Sequence, residues 1–431
     1  MLKIHKFNFT ILIFLLCLCC KAQTDTTEYY KKDYFHYDDY VYKSNIRTVL
    51  LNQETWEFSP PIIELNGTEK LKLSFDDLDG DLKNYSYTVI HCNANWQPSN
   101  MQALEYIDGF TEDNIRNYSY SVNTIQKYTH YSFTFPNENL MLTKSGNYLL
   151  KVYLENDKEN TIITRRFMLV EPLVTVEVNV KRATSIEYRD SRHEVDFVIK
   201  TGSYLINNPL TDLNIVITQN DRWDNAIRNL KPLFIRGNEL IYDYEKGNTF
   251  IAGNEFRQVD IRSLVYQSVN IRKITYDSLG NQVYLLCDVK RSGKTHLSFN
   301  DIDGKFSIIN QDRGNSEVEA DYTYVHFCLQ YNPLELQGNV YLFGGLTSWK
   351  FSKESQMKYN PKRNLYEATL YLKQGYYNYI YVLLKNNNKT ADESYIEGSY
   401  YETENQYCIY VYYRQPGTLY DKLIAYKKIN S

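Results

Sequence analysis

The chain has 431 residues, of which 43% are hydrophobic and 23% are charged. This composition excludes extensive disorder, and the length is too great for a single hydrophobic core, so three domains are expected. The net charge of −4 gives no general attraction to nucleic acid or to an anionic membrane surface, and no nucleic-acid partner is predicted. Since tyrosine favours pleated, half-buried strands, the 42 tyrosines predict an all-β protein.

The N-terminus has the features of an export signal. Two lysines precede an apolar run at residues 9–20, and Ala22 ends a suitable cleavage site. Because this run is shorter than the roughly 20 residues that span a bilayer, residues 1–22 are predicted to be a removed signal peptide, with no direct membrane span. Lipidation of a cysteine in this segment is the open alternative; the three cysteines concerned are Cys17, Cys19 and Cys20.

Residues 23–172 are predicted to form an N-terminal β-sandwich. Strand-like runs with alternating apolar residues begin at Ile46 and continue to the end of this block. The last two runs, NYLLKVYL and TIITRRFMLVE, are separated by ENDKEN and predict a closing β-hairpin. Pro172 follows directly and marks the boundary, because proline cannot donate to a central ladder.

Residues 173–335 are predicted to form a middle sandwich with a long loop insertion from Asp221 to Val265. Residues 336–431 are predicted to form a C-terminal sandwich of the early-set type, whose strand series ends in QYCIYVYYR. The predicted fold is therefore three consecutive immunoglobulin-like or early-set β-sandwich domains with elaborated loops.

Four cysteines remain after the predicted cleavage, and each lies in an apolar strand-like run. A buried free thiol is the expected state of Cys92 and Cys408. The same state is expected of Cys287 and Cys328, unless their strands are neighbours in an oxidising compartment. Whether these two pair is left open, because geometry decides it.

Clustered carboxylates at residues 76–81 (DDLDGD) raise the question of a calcium site. Gly80 is fourth when counted from Asp77, whereas the helix-loop-helix calcium loop has glycine sixth, so a solvated turn is predicted. His91 and Cys92 are neighbours in a strand and point to opposite faces, which argues against a metal site. No motif nominates a catalyst, and we predict no enzyme activity, metal or cofactor.

Two polar segments surround single tryptophans: HCNANWQPS contains Trp96, and QNDRWDNAI contains Arg222 and Trp223. One interpretation is a capped turn in which the tryptophan closes the end of a sandwich. The other is an interface anchor, because tryptophan and arginine dominate binding hot spots. These three residues are the candidate partner contacts.

The C-terminal block resembles the early-set sandwich that binds glycogen and starch in other proteins. In that module a tryptophan after the first strand stacks on sugar, and Trp349 occupies the matching place. The later aromatic platform of the module has no tryptophan counterpart after Tyr381. A secreted or periplasmic glycan-binding protein that uses Trp349 is therefore the alternative function.

A set of uncommon strings in a fixed order covers nearly the whole predicted mature chain. It includes YSYTVIHCNANWQPS, QNDRWDNAI, GNEFRQVDI and IEGSYYETEN. In these strings the chain resembles the plug protein family of the type IX secretion system of Bacteroidetes.

This resemblance implies a non-enzymatic periplasmic protein that is associated with the outer membrane. Its implied partner is the large translocon β-barrel, whose periplasmic opening it closes while no substrate is present. The resemblance assigns no contact residue.

Overall fold

The computed structural model of the protein describes residues 35–331, 338–386, 388 and 390–431. The predicted signal peptide at 1–22 lies outside the described residues. Residues His36–Ser431 form one compact unit.

Strands follow one another along nearly the whole described chain. The first part contains β1 (Tyr40–Val41), β2 (Ile46–Gln53), β3 (Ile62–Glu64), β4 (Leu71–Asp77), β5 (Tyr85–Cys92), α1 (Ala103–Tyr106), β6 (Ile107–Gly109), β7 (Glu112–Asn114), β8 (Asn117–Tyr120), β9 (Thr129–Phe135), β10 (Leu140–Leu142), β11 (Gly146–Leu154) and β12 (Thr161–Val170). The second part contains β13 (Thr175–Arg182), β14 (Arg192–Lys200), α2 (Pro209–Asp212), β15 (Leu213–Gln219), β16 (Arg222–Arg228), β17 (Phe234–Arg236), β18 (Glu239–Tyr242) and β19 (Thr249–Ile251).

The remaining elements are again mainly strands. They are β20 (Arg257–Asp260), β21 (Ile271–Asp277), β22 (Gly280–Leu285), β23 (Asp288–Val289), β24 (Phe306–Ser307), α3 (Ser316–Glu319), β25 (Tyr322–Gln330), β26 (Gly338–Phe343), a 3-10 helix (Gly345–Thr347), β27 (Lys358–Asn360), β28 (Leu365–Lys373), β29 (Tyr376–Lys385), α4 (Ser394–Glu397), β30 (Gln406–Tyr413) and β31 (Lys422–Asn430). This mainly β content agrees with the prediction from sequence.

Two sheets enclose the first core. One has the order β1-β12-β11-β5-β7, with β3 added to β12, and the other has the order β2-β4-β9-β8. Phe75 and Tyr131 of the second sheet lie in the same hydrophobic core as Tyr148 of the first. Strands β11 and β12 pair antiparallel, which confirms the predicted closing hairpin. This pair of sheets is called the first sandwich below.

The second core lies between the sheet β13-β14-β18-β17, with β19 added to β14, and the sheet β16-β15-β30-β31. The last two strands of the chain therefore complete the second sandwich: Ile217 of β15 lies opposite Ile409 of β30. Both residues are fully buried in the same core.

The third core is made by the chain between β19 and β30. Its sheets are β21-β22-β25-β28-β27, with β23 added to β25, and β20-β29-β24, with β26 added to β29. Val325 and Tyr381, from the two sheets, pack in this core. The third sandwich is thus inserted into the second rather than following it.

This connectivity corrects two expectations. The expected boundary at 335/336 falls among residues 332–337, outside the described residues, but β25 before it pairs with β28 after it. One sheet therefore spans that position. The expected loop insertion at 221–265 instead contains strands β16 to β20 of the second and third sandwiches. The alternation of apolar and polar residues shows which face of a short strand is buried, but it does not show which strand is its partner. The immunoglobulin-like or early-set topology of each domain stays a prediction.

The cysteines divide into two kinds. Cys287 and Cys328 form a disulfide with a Cα–Cα distance of 4.8 Å, which answers the question that the sequence leaves open for this pair. Strand β23, which follows Cys287, is a neighbour of β25, which contains Cys328. Cys92 and Cys408 are buried free thiols, as predicted.

The acidic segment at 76–81 is only partly the solvated turn that was predicted. Asp76 and Asp77 are fully buried, while Asp79 and Asp81 are more exposed. The ammonium of Lys83 lies between the carboxylates, 2.8 Å from Asp77 Oδ2 and 3.3 Å from Asp81 Oδ1. A side-chain cation of the protein itself, Lys83, therefore lies among these three carboxylates and offsets part of their charge.

Candidate functional site

Trp96 and Trp223 lie in different sandwiches but contact each other. Trp96 follows β5 in a tight turn, where its backbone N–H donates to the backbone carbonyl of Asn93. Trp223 lies on β16 of the second sandwich. Their rings meet edge to face with centroids 5.0 Å apart. The two residues selected from sequence therefore join the first sandwich to the second.

Arg166 of β12 completes this contact. Its guanidinium lies 4.5 Å from the ring centroid of Trp96 and 5.8 Å from that of Trp223, within the range of cation–π interaction. It also donates to the carbonyl of Tyr37 from Nε and Nη2, at 2.9 and 2.7 Å. Burial lowers the pKa of Arg166, partly offset by Asp39. We call Trp96, Arg166 and Trp223 the tryptophan junction.

Arg222, next to Trp223 on β16, faces the other way because successive strand residues alternate. Its Nη1 lies 2.6 Å from Glu393 of the third sandwich, and its Nη2 lies 2.7 Å from Asp224. Burial alone would lower the pKa of Arg222, but Glu393 and Asp224 outweigh it and raise that pKa. A single strand, β16, thus contacts the first sandwich on one face and the third on the other.

Trp349 takes part in the contact between strand β16 and the third sandwich. Its ring lies edge to face with Phe256 and Phe343, at centroid distances of 5.9 and 5.3 Å. The guanidinium of Arg222 lies 5.1 Å from its centroid. Trp349 is only partly exposed and packs among protein side chains, an environment that does not favour sugar stacking.

Lys305 of the third sandwich lies where all three sandwiches meet. Its ammonium is 2.9 Å from Asp221 and donates to the carbonyl of Phe58 at 3.2 Å and to Gln406 Oε1 at 3.3 Å. Burial would raise the pKa of Asp221, but Lys305 outweighs it and lowers that pKa. Sequence reasoning did not find Lys305, because nothing near it in the chain indicates its partners.

The three candidate partner contacts differ in how much of each side chain is exposed to a partner. Trp96 is 1% exposed and Arg222 is 4% exposed, so both are enclosed by their own chain. Trp223 is half-buried and retains some surface. A partner contact at Trp223 stays a prediction, whereas Trp96 and Arg222 act in the contacts between sandwiches.

The first sandwich also identifies the family. Residues 46–171, from β2 to the end of β12, match the family model described as the first domain of the type 9 secretion system plug protein. The chain belongs to the plug protein family. Membership in this family implies a location in the cell envelope, near the translocon.

The plug-family chain is also similar to a solved structure. A crystal structure of a hypothetical protein from Parabacteroides merdae has 35% sequence identity and a TM-score of 0.89, covering 92% of this chain and all of that one. No curated protein sequence matches the chain. None of the helices among the described residues is long and apolar enough to cross a membrane.

The plug-family chain has a further contact between sandwiches that sequence reasoning missed. Lys373 of the third sandwich and Asp76 of the first form an ion pair of 2.7 Å, and both are buried. His130 Nδ1 lies 2.7 Å from Asp76 Oδ1, and the hydroxyl of Tyr322 donates to Asp76 Oδ2. We call these four residues the Asp76 cluster. From sequence, Asp76 is predicted to lie in a turn because it begins an acidic run.

We expect Trp349→Ala to lower the free energy of unfolding of this plug-family chain by about 1–2 kcal/mol, because its packing on Phe256 and Phe343 is lost. Retention on a glucan affinity gel is expected to be the same before and after the substitution. Wild-type retention that Trp349→Ala abolishes without loss of stability would instead favour the glycan-binding alternative.

Proposed function

We propose that this protein is a periplasmic, non-enzymatic component of the type IX secretion system. It associates with the large outer-membrane translocon β-barrel and closes its periplasmic opening while no substrate is present. The observation that carries this proposal is the family match across the first sandwich. A channel that passes folded proteins needs such closure, since an open lumen would leak.

The architecture suits a stopper because the three sandwiches are tied to one another directly. The tryptophan junction connects the first to the second, Arg222 connects the second to the third, and Lys305 contacts all three. The Asp76 cluster adds a buried ion pair between the first and third. Relative motion of domains is the default when interfaces are small and polar, but these contacts are buried and include aromatic packing. A body of this kind can block an opening by shape, without chemistry.

The proposal predicts that the tagged protein recovers the translocon. A pull-down from outer-membrane extract, with proteins identified by mass spectrometry, is expected to yield a very large β-barrel protein. An unrelated tagged periplasmic β-sandwich protein serves as the control bait. Recovery of no barrel, or equal recovery by the control bait, would contradict the proposed association.

Closure is tested separately from association. Deletion of the gene is expected to make cells more sensitive to large antibiotics that the outer membrane normally excludes, and complementation is expected to restore resistance. Unchanged sensitivity in cells that retain an assembled translocon would contradict the closing role, even if the two proteins co-purify.

The prediction that Trp223 contacts the translocon is tested in the same pull-down. We compare Trp223→Ala with Trp56→Ala, because Trp56 is 50% exposed and lies outside the tryptophan junction. Barrel recovery that falls only for Trp223→Ala, at equal amounts of folded bait, is the expected result. Equal recovery by both variants would remove Trp223 from the interface.

A further inference from the structure

Strand β28 of the third sandwich is paired along one side and open along much of the other. On one side, β25 pairs with β28 from Tyr366 to Lys373. On the other side, β27 pairs only with Leu365–Glu367. The rest of β28 therefore has a sheet edge without a neighbouring strand among the described residues.

The register shows which main-chain groups lie on the open edge. The N–H of Gln374, just after β28, donates to the carbonyl of Asp321 and continues the register with β25. Because antiparallel pairs alternate along a strand, even-numbered residues of β28 bond to β25 and odd-numbered ones face the opposite side. Thr369 and Tyr371 thus direct their N–H and C=O groups to the open edge. No backbone hydrogen bond reaches these groups within the described part of the chain.

The edge is open because the chain before β27 leaves it. Met357 donates its N–H to the carbonyl of Val340, and Leu342 donates to the carbonyl of Ser355, so this segment lies against β26 in the other sheet. A groove of about 580 Å³ remains beside the edge, lined in part by Ala368 and Thr369. The groove therefore coincides with the free main-chain position at Thr369, and Tyr371 continues the same open edge two residues further along β28.

The charges on the groove walls are unbalanced. Of its two glutamates, Glu354 pairs with Arg47 at 3.1 Å and Glu367 pairs with Arg363. Lys353 and Lys358 also line the groove and are exposed, and neither forms an ion pair with any other described residue. With both acids neutralised, the two lysines leave the groove positively charged.

We propose that this groove binds an acidic, extended segment of another protein, which adds to β28 as a strand. Thr369 and Tyr371 supply the main-chain hydrogen bonds, while Lys353 and Lys358 attract the carboxylates of the segment. Strand addition to an open sheet edge is a recurrent mode of peptide recognition, in which main-chain bonds give affinity and side chains give specificity. This surface goes beyond the plug proposal, whose one predicted contact residue, Trp223, does not line the groove.

The test uses the mature full-length protein and a short fluorescent peptide in which glutamate alternates with valine. Fluorescence anisotropy at low salt is expected to show binding about tenfold tighter than for the same peptide with lysine in place of glutamate. Added salt is expected to weaken that binding. An acidic peptide that is N-methylated at every residue is expected to lose binding, because it has no N–H group left to donate to β28. Equal binding of the acidic and basic peptides, or of the N-methylated peptide, would overturn the proposal.

A double variant tests the two lysines without altering the core. Lys353→Glu with Lys358→Glu is expected to weaken binding of the acidic peptide by about tenfold. The control is Lys246→Glu with Lys427→Glu, two exposed lysines that do not line the groove, and unchanged binding is expected. Equal effects of the two double variants would overturn the proposal. Self-association of the protein that only the groove variant abolishes would also overturn it, because a second copy would then be the occupant.

Discussion

Replacing Trp96 with alanine is expected to lower the free energy of unfolding by about 3–5 kcal/mol, the usual cost of removing a fully buried large aromatic ring. The ring is 1% exposed and packs against Trp223 and the guanidinium of Arg166. Its removal leaves a cavity between two sandwiches and takes away a cation–π partner of the half-buried Arg166. Urea unfolding followed by circular dichroism measures the change.

Trp56→Ala is the matched control for this prediction. Trp56 is 50% exposed, and its ring contacts the ammonium of Lys428 at 4.7 Å. Its replacement is expected to change the free energy of unfolding by less than about 1 kcal/mol. If Trp96→Ala were as mild as Trp56→Ala, the tryptophan junction would not contribute to stability as described.

Replacing Lys373 with alanine is expected to cost about 3–5 kcal/mol, because Asp76 is then left buried without its main counter-charge. Lys373 Nζ and Asp76 Oδ2 are 2.7 Å apart, and these side chains are 1% and 0% exposed. The expected loss is large because the cost of burying the carboxylate remains after its partner has been removed.

The control is Lys72→Ala, which removes a surface ion pair close to the same cluster. Lys72 lies 2.8 Å from Glu317, with side chains 33% and 53% exposed. Such pairs contribute less than about 1 kcal/mol, since water screens them and their side chains lose entropy. Equal losses for Lys373→Ala and Lys72→Ala, measured by urea unfolding at neutral pH, would be incompatible with a buried ion pair.

The same cluster predicts a dependence on pH. Burial would raise the pKa of Asp76, but Lys373 and His130 outweigh it, so the folded-state pKa lies below the ordinary value. Its ionisation therefore stabilises the protein above about pH 4. That contribution is lost as the pH falls through the lower folded-state pKa. Because Asp76 in Lys373→Ala can take up a proton instead, the difference in stability between wild type and variant is expected to shrink between pH 7 and pH 4.

Alternation predicted most strands of the first sandwich because their inward side chains are consistently apolar. Tyr148, Leu150 and Val152 of β11 are all fully buried, as period-two spacing requires. The short connection between β11 and β12 also made their pairing predictable, since neighbours in sequence can form a hairpin without a long loop.

The pairing of distant strands could not be predicted in the same way. Ile217 and Ile409 have the spacing of core residues in their own strands, but this spacing does not identify them as partners. The contacts between sandwiches were missed for a related reason. Lys373 and Asp76 are residue types that normally lie at the surface, and their burial is explained by partners that are distant in sequence, above all by each other.

The inserted position of the third sandwich affects the order in which the protein can become complete. As the chain is made from its N-terminus, the first sandwich has all its strands as soon as β12 has emerged. Strands β13 to β19 must wait until the whole inserted segment has been synthesised and β30 has arrived. During that interval one edge of β15 lacks its partner strand β30. The middle part of the chain is therefore the part that needs protection from aggregation for longest.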